Sequence, residues 1–322
     1  LRASARRLKA ESLYEKEEFQ LVRLVSYRSK GSTRLGLLHD GLVVDLEKAA
    51  RRYKLPPLPS DMLSFLYGGG RNLAIAKRAA SKFKQGIKAS GRAAAGLSVP
   101  LSRVKLATPV PNPQKVICIG QNYKDHCLEQ GIDPPKLPVI FAKYPTSLVG
   151  PADPIVLPRI SNKIDYEVEL AFIIGKRGKN IPISKAYEHV AGYMVLDDVT
   201  ARDIQFGDGQ WVRGKSFDTF APCGPYLVTK DEVANPHNLK IELKLNGKVM
   251  QSSNTLNLIF KVPYLVSFIS KVFTLMPGDI VTTGTPPGVG VFRKPPVFLK
   301  AGDVVEASVE GLGQLKNPVV KK

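Results

Sequence analysis

Residues 116–309 read as a succession of short Val- and Ile-rich segments, and this limits the possible folds more than any other feature. Strands are predicted at 116–119, 139–142, 155–157, 166–174, 191–196, 224–228, 239–245, 280–283 and 304–309, with Gly and Pro marking the breaks. Helical segments interrupt them at 121–131, 199–207 and 257–273. Regular strand–helix alternation is absent. That argues against a doubly wound fold or an α/β barrel, and for a mixed α+β, predominantly β chain built as a sandwich or roll. No apolar run reaches the roughly 18 residues a membrane-spanning helix needs.

Upstream, residues 20–29 and 34–46 predict a hairpin, with His39-Asp40-Gly41 at the turn and 42–44 as a short return strand. Helices follow at 60–67 and 71–86, the second with Leu73, Ile75, Ala79, Ala80 and Phe83 among lysines. Gly68-Gly69-Gly70 between them reads as a helix stop, because no Gly-Lys-Ser or Gly-Lys-Thr follows to make a phosphate loop. Pro100, Pro109, Pro111 and Pro113 place a boundary within residues 95–114. The organisation expected is an extension or leader remnant at 1–19, a small α+β domain at 20–108 and a larger domain at 109–322. Residues 1–10 carry four basic side chains and no acid, as a mitochondrial leader would, and Glu11, Glu15, Glu17 and Glu18 then end it.

The formal charge of +19 is uneven: residues 1–110 contribute +14 and residues 111–322 only +5. Such a field attracts acidic ligands, anionic lipid or nucleic acid. The basic residues are nonetheless scattered among apolar ones, and no zinc finger or RNP aromatic pair accompanies them. A charged, solubilising surface is the plain reading, and a basic polyanion-binding module is the non-enzyme alternative. Cys118, Cys127 and Cys223 form no CxxC pair, so a disulfide framework, a zinc knuckle and a dithiol redox centre are all excluded and a reducing compartment is expected.

Chemistry concentrates in four places. In Asp165-Tyr166-Glu167-Val168-Glu169-Leu170 the two-residue period puts Glu167 and Glu169 on one strand face. They repel there unless the face is solvated or a hard cation such as Mg²⁺ or Mn²⁺ lies between them. Asp197 and Asp198 end an apolar strand, where either one could cap the 199–207 helix or bind metal. Arg202, one turn into that helix, suits a carboxylate clamp, with Gln205 at i+3 and Lys215 as a stabiliser of negative oxygen. His126 and Glu129, at i and i+3, can form an acid–base dyad. The Gly- and Pro-rich run from Thr282 to Gly290 specifies a rigid turn able to present N–H groups and a Thr hydroxyl to an anion. His39 reads as a turn residue, and His189 and His237 as surface or loop residues.

Taken in order, the motifs resemble the fumarylacetoacetate hydrolase superfamily. They stand as Gly120-x-Asn122-Tyr123-x-x-His126-x-x-Glu129, Asp165-Tyr166-Glu167-Val168-Glu169-Leu170, Asp198-Val199-Thr200-Ala201-Arg202-Asp203, Lys215-Ser216-Phe217 and Thr283-Gly284-Thr285-Pro286-Pro287-Gly288-Val289-Gly290. The likeness spans residues 111–322 and continues upstream. It implies a mixed β-sandwich roll with a small N-terminal α+β domain, assembled as a homodimer. It implies one Mg²⁺ or Mn²⁺ on Glu167, Glu169 and Asp198, which leaves Asp197 a structural role. It further implies a catalytic His126–Glu129 dyad on a mobile segment, with Lys215 beside it and Arg202, Gln205, Gly284 and Thr285 around a small 2-oxo acid. Members most similar to this chain are associated with oxaloacetate tautomerisation in mitochondria. Keto–enol tautomerisation is thus the leading expectation, with hydrolysis of acylpyruvate- or fumarylacetoacetate-type β-diketo acids and oxaloacetate decarboxylation as alternatives.

Overall fold

The computed structural model describes residues 22–91 and 96–321. The expected leader remnant and its acidic boundary lie outside them. The chain begins with a meander, β1 (Arg23–Ser29), β2 (Ser32–His39) and β3 (Leu42–Asp45). Helices α1 (Leu46–Arg52), α2 (Met62–Tyr67) and α3 (Gly69–Ser90) follow, then β4 (Ser98–Pro100). Asp45 and Asp61 start α1 and α2 by accepting the N–H groups of Lys48 and Ser64. Gly68 alone is the joint between α2 and α3, while Gly69 and Gly70 open α3, so the glycine run lies mostly inside the helix and not between two helices.

Next come β5 (Val116–Gly120), α4 (Lys124–Gln130), β6 (Val139–Lys143), β7 (Leu148–Val149), β8 (Ile155–Leu157) and β9 (Ile164–Asp165). After these follow β10 (Val168–Ile174), β11 (Val190–Asp197), β12 (Thr200–Ala201), α5 (Arg202–Asp208), α6 (Val212–Lys215) and β13 (Ala221–Thr229). The last part holds β14 (Lys240–Leu245), β15 (Lys248–Asn254), α7 (Val262–Val272), β16 (Ile280–Thr282), β17 (Val304–Val309) and β18 (Gly313–Lys321).

A long mixed sheet runs β4-β3-β2-β1-β13-β11-β10-β16-β5-β6, with β7 alongside β13. The N-terminal meander therefore continues the same sheet that carries β10 and β11, through the β1–β13 pairing. A second sheet runs β15-β14-β17-β18-β8. One core lies between the two sheets, where Leu170, Phe172 and Val195 meet Leu243, Val305 and Leu315. On the other face of the long sheet, Ala171, Ile173, Met194 and Leu196 pack with Phe65, Ala79 and Phe83 of the N-terminal helices. Burial on both faces is why β10 reads as a continuous apolar run after Glu169. The mixed, predominantly β architecture agrees with the expectation from sequence.

The helix expected at 199–207 starts only at Arg202, because Thr200 and Ala201 pair with Asp165 and Ile164 as β12 and β9. Its N-cap is Ala201, without a side-chain bond, so neither Asp197 nor Asp198 caps it. Two of the histidines, His39 and His189, differ from their expected places, while His237 lies in a loop as expected. His39 ends β2, and His189 is buried with Nδ1 2.9 Å from Lys176 O. His237 Nε2 accepts the Val262 N–H at the start of α7.

Candidate metal and acid–base site

The antiparallel register of β10 and β11 sets Val168 opposite Asp197. The residues flanking these strand ends consequently meet: Asp198 N donates to Glu167 O, and Glu167 N to Asp197 Oδ1, both at 2.8 Å. Glu167, Glu169 and Asp198 are buried, and each offers an oxygen within 4.8 Å of the others. Asp197 holds the entry to β10 through the Glu167 N–H.

Buried cations lie against this cluster. Lys215 Nζ is 2.7 Å from both Glu167 Oε2 and Asp198 Oδ2. Lys143 Nζ, at the end of β6, is 2.6 Å from Asp198 Oδ1 and 3.1 Å from Val199 O. Arg202 donates from Nε to Asp165 Oδ2 (2.8 Å) and from Nη1 to Gln205 Oε1 (3.0 Å), and its Nη2 is 2.6 Å from Glu167 Oε1. The guanidinium thus fixes Glu167 and Gln205 as it lines the cavity. Asp165 accepts the Gly290 and Val291 N–H groups as well, tying α5 to the Pro-rich turn.

Burial alone would raise the Glu167 pKa, but Lys215 and Arg202 hold it down at about 2. Glu169 accepts the Gly284 N–H at 2.6 Å, yet burial, Asp198 and Glu167 push it well above the carboxylate range. Burial lifts Asp197 to about 7, against the pull of the Glu167 N–H. The buried carboxylates of Asp165, Glu167, Glu169, Asp197 and Asp198 outnumber Lys143, Arg202 and Lys215. The surplus has to be met by retained protons or by an added cation. A hard divalent ion fits the site, because the triad is all oxygen and the ion's charge removes that surplus.

Helix α4 leaves β5 directly beside the cluster. Its i,i+3 spacing brings His126 Nδ1 to 2.8 Å from Glu129 Oε2, which leaves Nε2 for another partner. Glu129 Oε1 accepts the Gly288 N–H at 2.8 Å. Only glycine fits at 288: φ is +102°, and a Cβ would fall 2.0 Å from Met250 O. Asp125 anchors the helix by accepting from Ser253 Oγ and Asn257 Nδ2. Thr285 Oγ1 donates to Val168 O and accepts from Gln251 Nε2, so its hydroxyl braces β10.

His126, Glu167, Glu169, Arg202, Gln205, Lys215 and Thr285 open onto one cavity of about 120 Å³. Glu129, Asp198 and Gly284 stand behind that wall and hold His126, Lys215 and Glu169 respectively. Sequence reasoning missed Lys143, Gln251 and the aromatic wall of Phe141, Phe206, Trp211 and Phe292. Asp165 stood there only as a motif residue, although the two-residue step to Glu167 and Glu169 puts it on their side of the chain.

Residues 115–320 match the family model described as fumarylacetoacetate (FAA) hydrolase C-terminal. The chain belongs to the fumarylacetoacetate hydrolase family. It is 48% identical over 305 residues to a Xenopus laevis protein named oxaloacetate tautomerase fahd2, mitochondrial, covering 93% of this chain and 90% of that one. It is 51% identical over 268 residues to the Homo sapiens oxaloacetate tautomerase FAHD2A, mitochondrial, covering 82% and 81%. Among solved structures, a fumarylacetoacetate hydrolase from Exiguobacterium antarcticum superposes with a TM-score of 0.77 at 34% identity, covering 94% of this chain and 100% of that one.

Proposed function

We propose that this family member is a mitochondrial, divalent-metal-dependent oxaloacetate keto–enol tautomerase. The observation that carries the reading is one small cavity lined by His126 and by Glu167 and Glu169, with Glu129 and Asp198 directly behind them completing the dyad and the carboxylate triad. Relatives named oxaloacetate tautomerase, similar over most of the chain, support the substrate and the compartment. Glu167, Glu169 and Asp198 would hold the ion, and their all-oxygen set favours Mg²⁺ or Mn²⁺ over zinc. Bound there, the ion would supply positive charge that acidifies the C–H beside a 2-oxo group.

The chain's own residues then move the proton. His126 Nε2 takes the enol O–H proton and returns a proton to C3, while Glu129 on Nδ1 fixes the ring and stabilises its charged form. The Lys215 ammonium adds a fixed positive charge near developing negative oxygen, and the Gln205 amide, held by Arg202, orients the ligand. The aromatic wall limits the water that can reach the enolate. We assign this chemistry to residues 109–322 and a supporting role to residues 20–108, since the cavity-lining residues fall between Ile119 and Phe292. A homodimer goes with this reading on the family resemblance, and light scattering of the purified chain tests it.

The test follows fresh oxaloacetate enol by absorbance while pyruvate release is recorded in parallel, for the metal-loaded protein, an EDTA-treated sample and His126→Ala. Fast enol loss without matching pyruvate, abolished by EDTA and reduced about 10²- to 10⁴-fold in the variant, is the expected result. Enol decay at the buffer rate overturns the reading and turns the search to hydrolysis of acylpyruvates.

A further inference from the structure

Gly120 ends β5, and Trp211 sits immediately before α6, the turn that carries Lys215 into the site. The two meet face to face. A Cβ on Gly120 would fall 2.4 Å from Trp211 Cζ3 and 2.8 Å from Cη2, distances real side chains do not tolerate. Gly120 is outside the left-handed region, so the indole and not the backbone requires glycine here. On another side the indole meets Phe141 of β6 edge-on, with centroids 5.2 Å apart at 64°. Phe141 lies in turn beneath the Lys215 ammonium, 5.1 Å from Nζ. Trp211 O accepts the Lys215 N–H at 3.1 Å, which locks the indole's own backbone to the catalytic turn. Trp211, the one tryptophan of the chain, is thus packed against two strands on one side and partly exposed on the other.

We propose that Trp211, seated on Gly120, sets the upper length of ligand the cavity accepts, confining it to short oxo diacids and excluding those with a longer tail. This rests on the reading above that the cavity takes 2-oxo diacids. The cavity measures about 120 Å³. Cavities of roughly 150 Å³ accept benzene, whereas sites for drug-sized ligands start near about 300 Å³. A four-carbon oxo diacid belongs with the former. Each further methylene has to displace an aromatic wall that is already backed by Gly120 and Phe141, and a mismatch of one methylene in such a pocket discriminates about 10-fold or more.

Titration calorimetry of the Mg²⁺-loaded protein with oxalate, 2-oxoglutarate and 2-oxoadipate reads the limit directly. The wild type is expected to bind oxalate, the short reference, most tightly and to lose affinity about 10-fold or more between 2-oxoglutarate and 2-oxoadipate, which differ by one methylene. Trp211→Ala is expected to flatten the series, raising the affinity for 2-oxoadipate relative to oxalate. Equal affinities along the series in the wild type, or an unchanged slope in the variant, overturn the proposal. Should Trp211→Ala fail to fold, Trp211→Phe gives a smaller ring on the same backbone and is read in the same way. Gly120→Ala adds a check on the contact itself: it should lower Tm in the wild type and not in Trp211→Ala, and an equal drop in both backgrounds counts against the wedge. Oxaloacetate turnover measured alongside separates the two ideas. A Trp211-dependent slope without turnover ends the tautomerase reading and keeps the length limit, and turnover with a flat slope does the reverse.

Discussion

Replacing Lys143 by Met tests whether the buried cluster is built around an added cation. The substitution keeps a long unbranched side chain while removing the charge that lies 2.6 Å from Asp198 Oδ1. Removing one partner of a buried ion pair costs about 3–5 kcal/mol, because the other charge stays buried. Asp198 keeps Lys215 on its second oxygen, at 2.7 Å. The lower end of that range, about 3 kcal/mol, is therefore expected, or about 6–12 °C in Tm for a domain of this class. A divalent ion reverses the trend. Without Lys143 the cluster is one charge more negative and attracts the ion more strongly, and each tenfold gain in affinity returns about 1.4 kcal/mol by mass action. Scanning calorimetry of wild type and Lys143→Met in EDTA, then in excess Mg²⁺, is the assay. The variant should melt well below the wild type in EDTA, and Mg²⁺ should narrow the gap. A gap of the same size with and without metal refutes the charge balance, and equal melting in EDTA refutes the pair's contribution.

Glu129→Gln keeps a side chain that can reach Gly288 N but withdraws the charge behind His126 Nδ1; enol turnover should fall about 10- to 100-fold. Metal affinity by calorimetry should hold, and a parallel loss of metal binding would show that Glu129 belongs to the ion site instead. His237 supplies a pH dependence away from the chemistry. Burial, then Lys261, lowers its pKa from 6.5 to about 4, and Nε2 accepts the Val262 N–H at 3.1 Å. The folded value lies below the unfolded one, so the unfolded chain binds the extra proton between them and stability falls as pH drops from 6.5 toward about 4. The full shift corresponds to about 3 kcal/mol, which partial exposure reduces to about 1–2 kcal/mol. Urea unfolding near neutral pH and near pH 5 should show that loss in the wild type and not in His237→Gln; equal losses would sink the assignment.

The parts of this molecule that were legible in its sequence are those encoded locally. The two-residue period placed Glu167 and Glu169 together, and the i,i+3 spacing gave the His126–Glu129 contact. Lys143 was not legible, since its partner lies 55 residues downstream and nothing in a strand-ending lysine names it. The same holds for Trp211, whose place depends on Gly120, the last residue of a strand far upstream. Strand β15 escaped because Lys248–Asn254 is polar, although the Asn246-Gly247 pair with both residues at positive φ is a hairpin signal that could have found it. The late start of α5 followed from pairing with Ile164–Asp165, a partner that the helical pattern of 199–207 does not contain.

The position of β16 has a consequence for synthesis. Three residues, Ile280–Thr282, fill the place between β10 and β5, antiparallel to the first and parallel to the second. Until they arrive, the strand that carries Glu169 and the strand leading into the His126 helix share no edge. A nascent chain that ends just before residue 280 carries every acid and base proposed here, yet its two half-sheets are not joined by backbone pairing. Activity should therefore switch on abruptly as the final segment emerges, and a chain cut before residue 280 should keep all its proposed catalytic side chains and no working site.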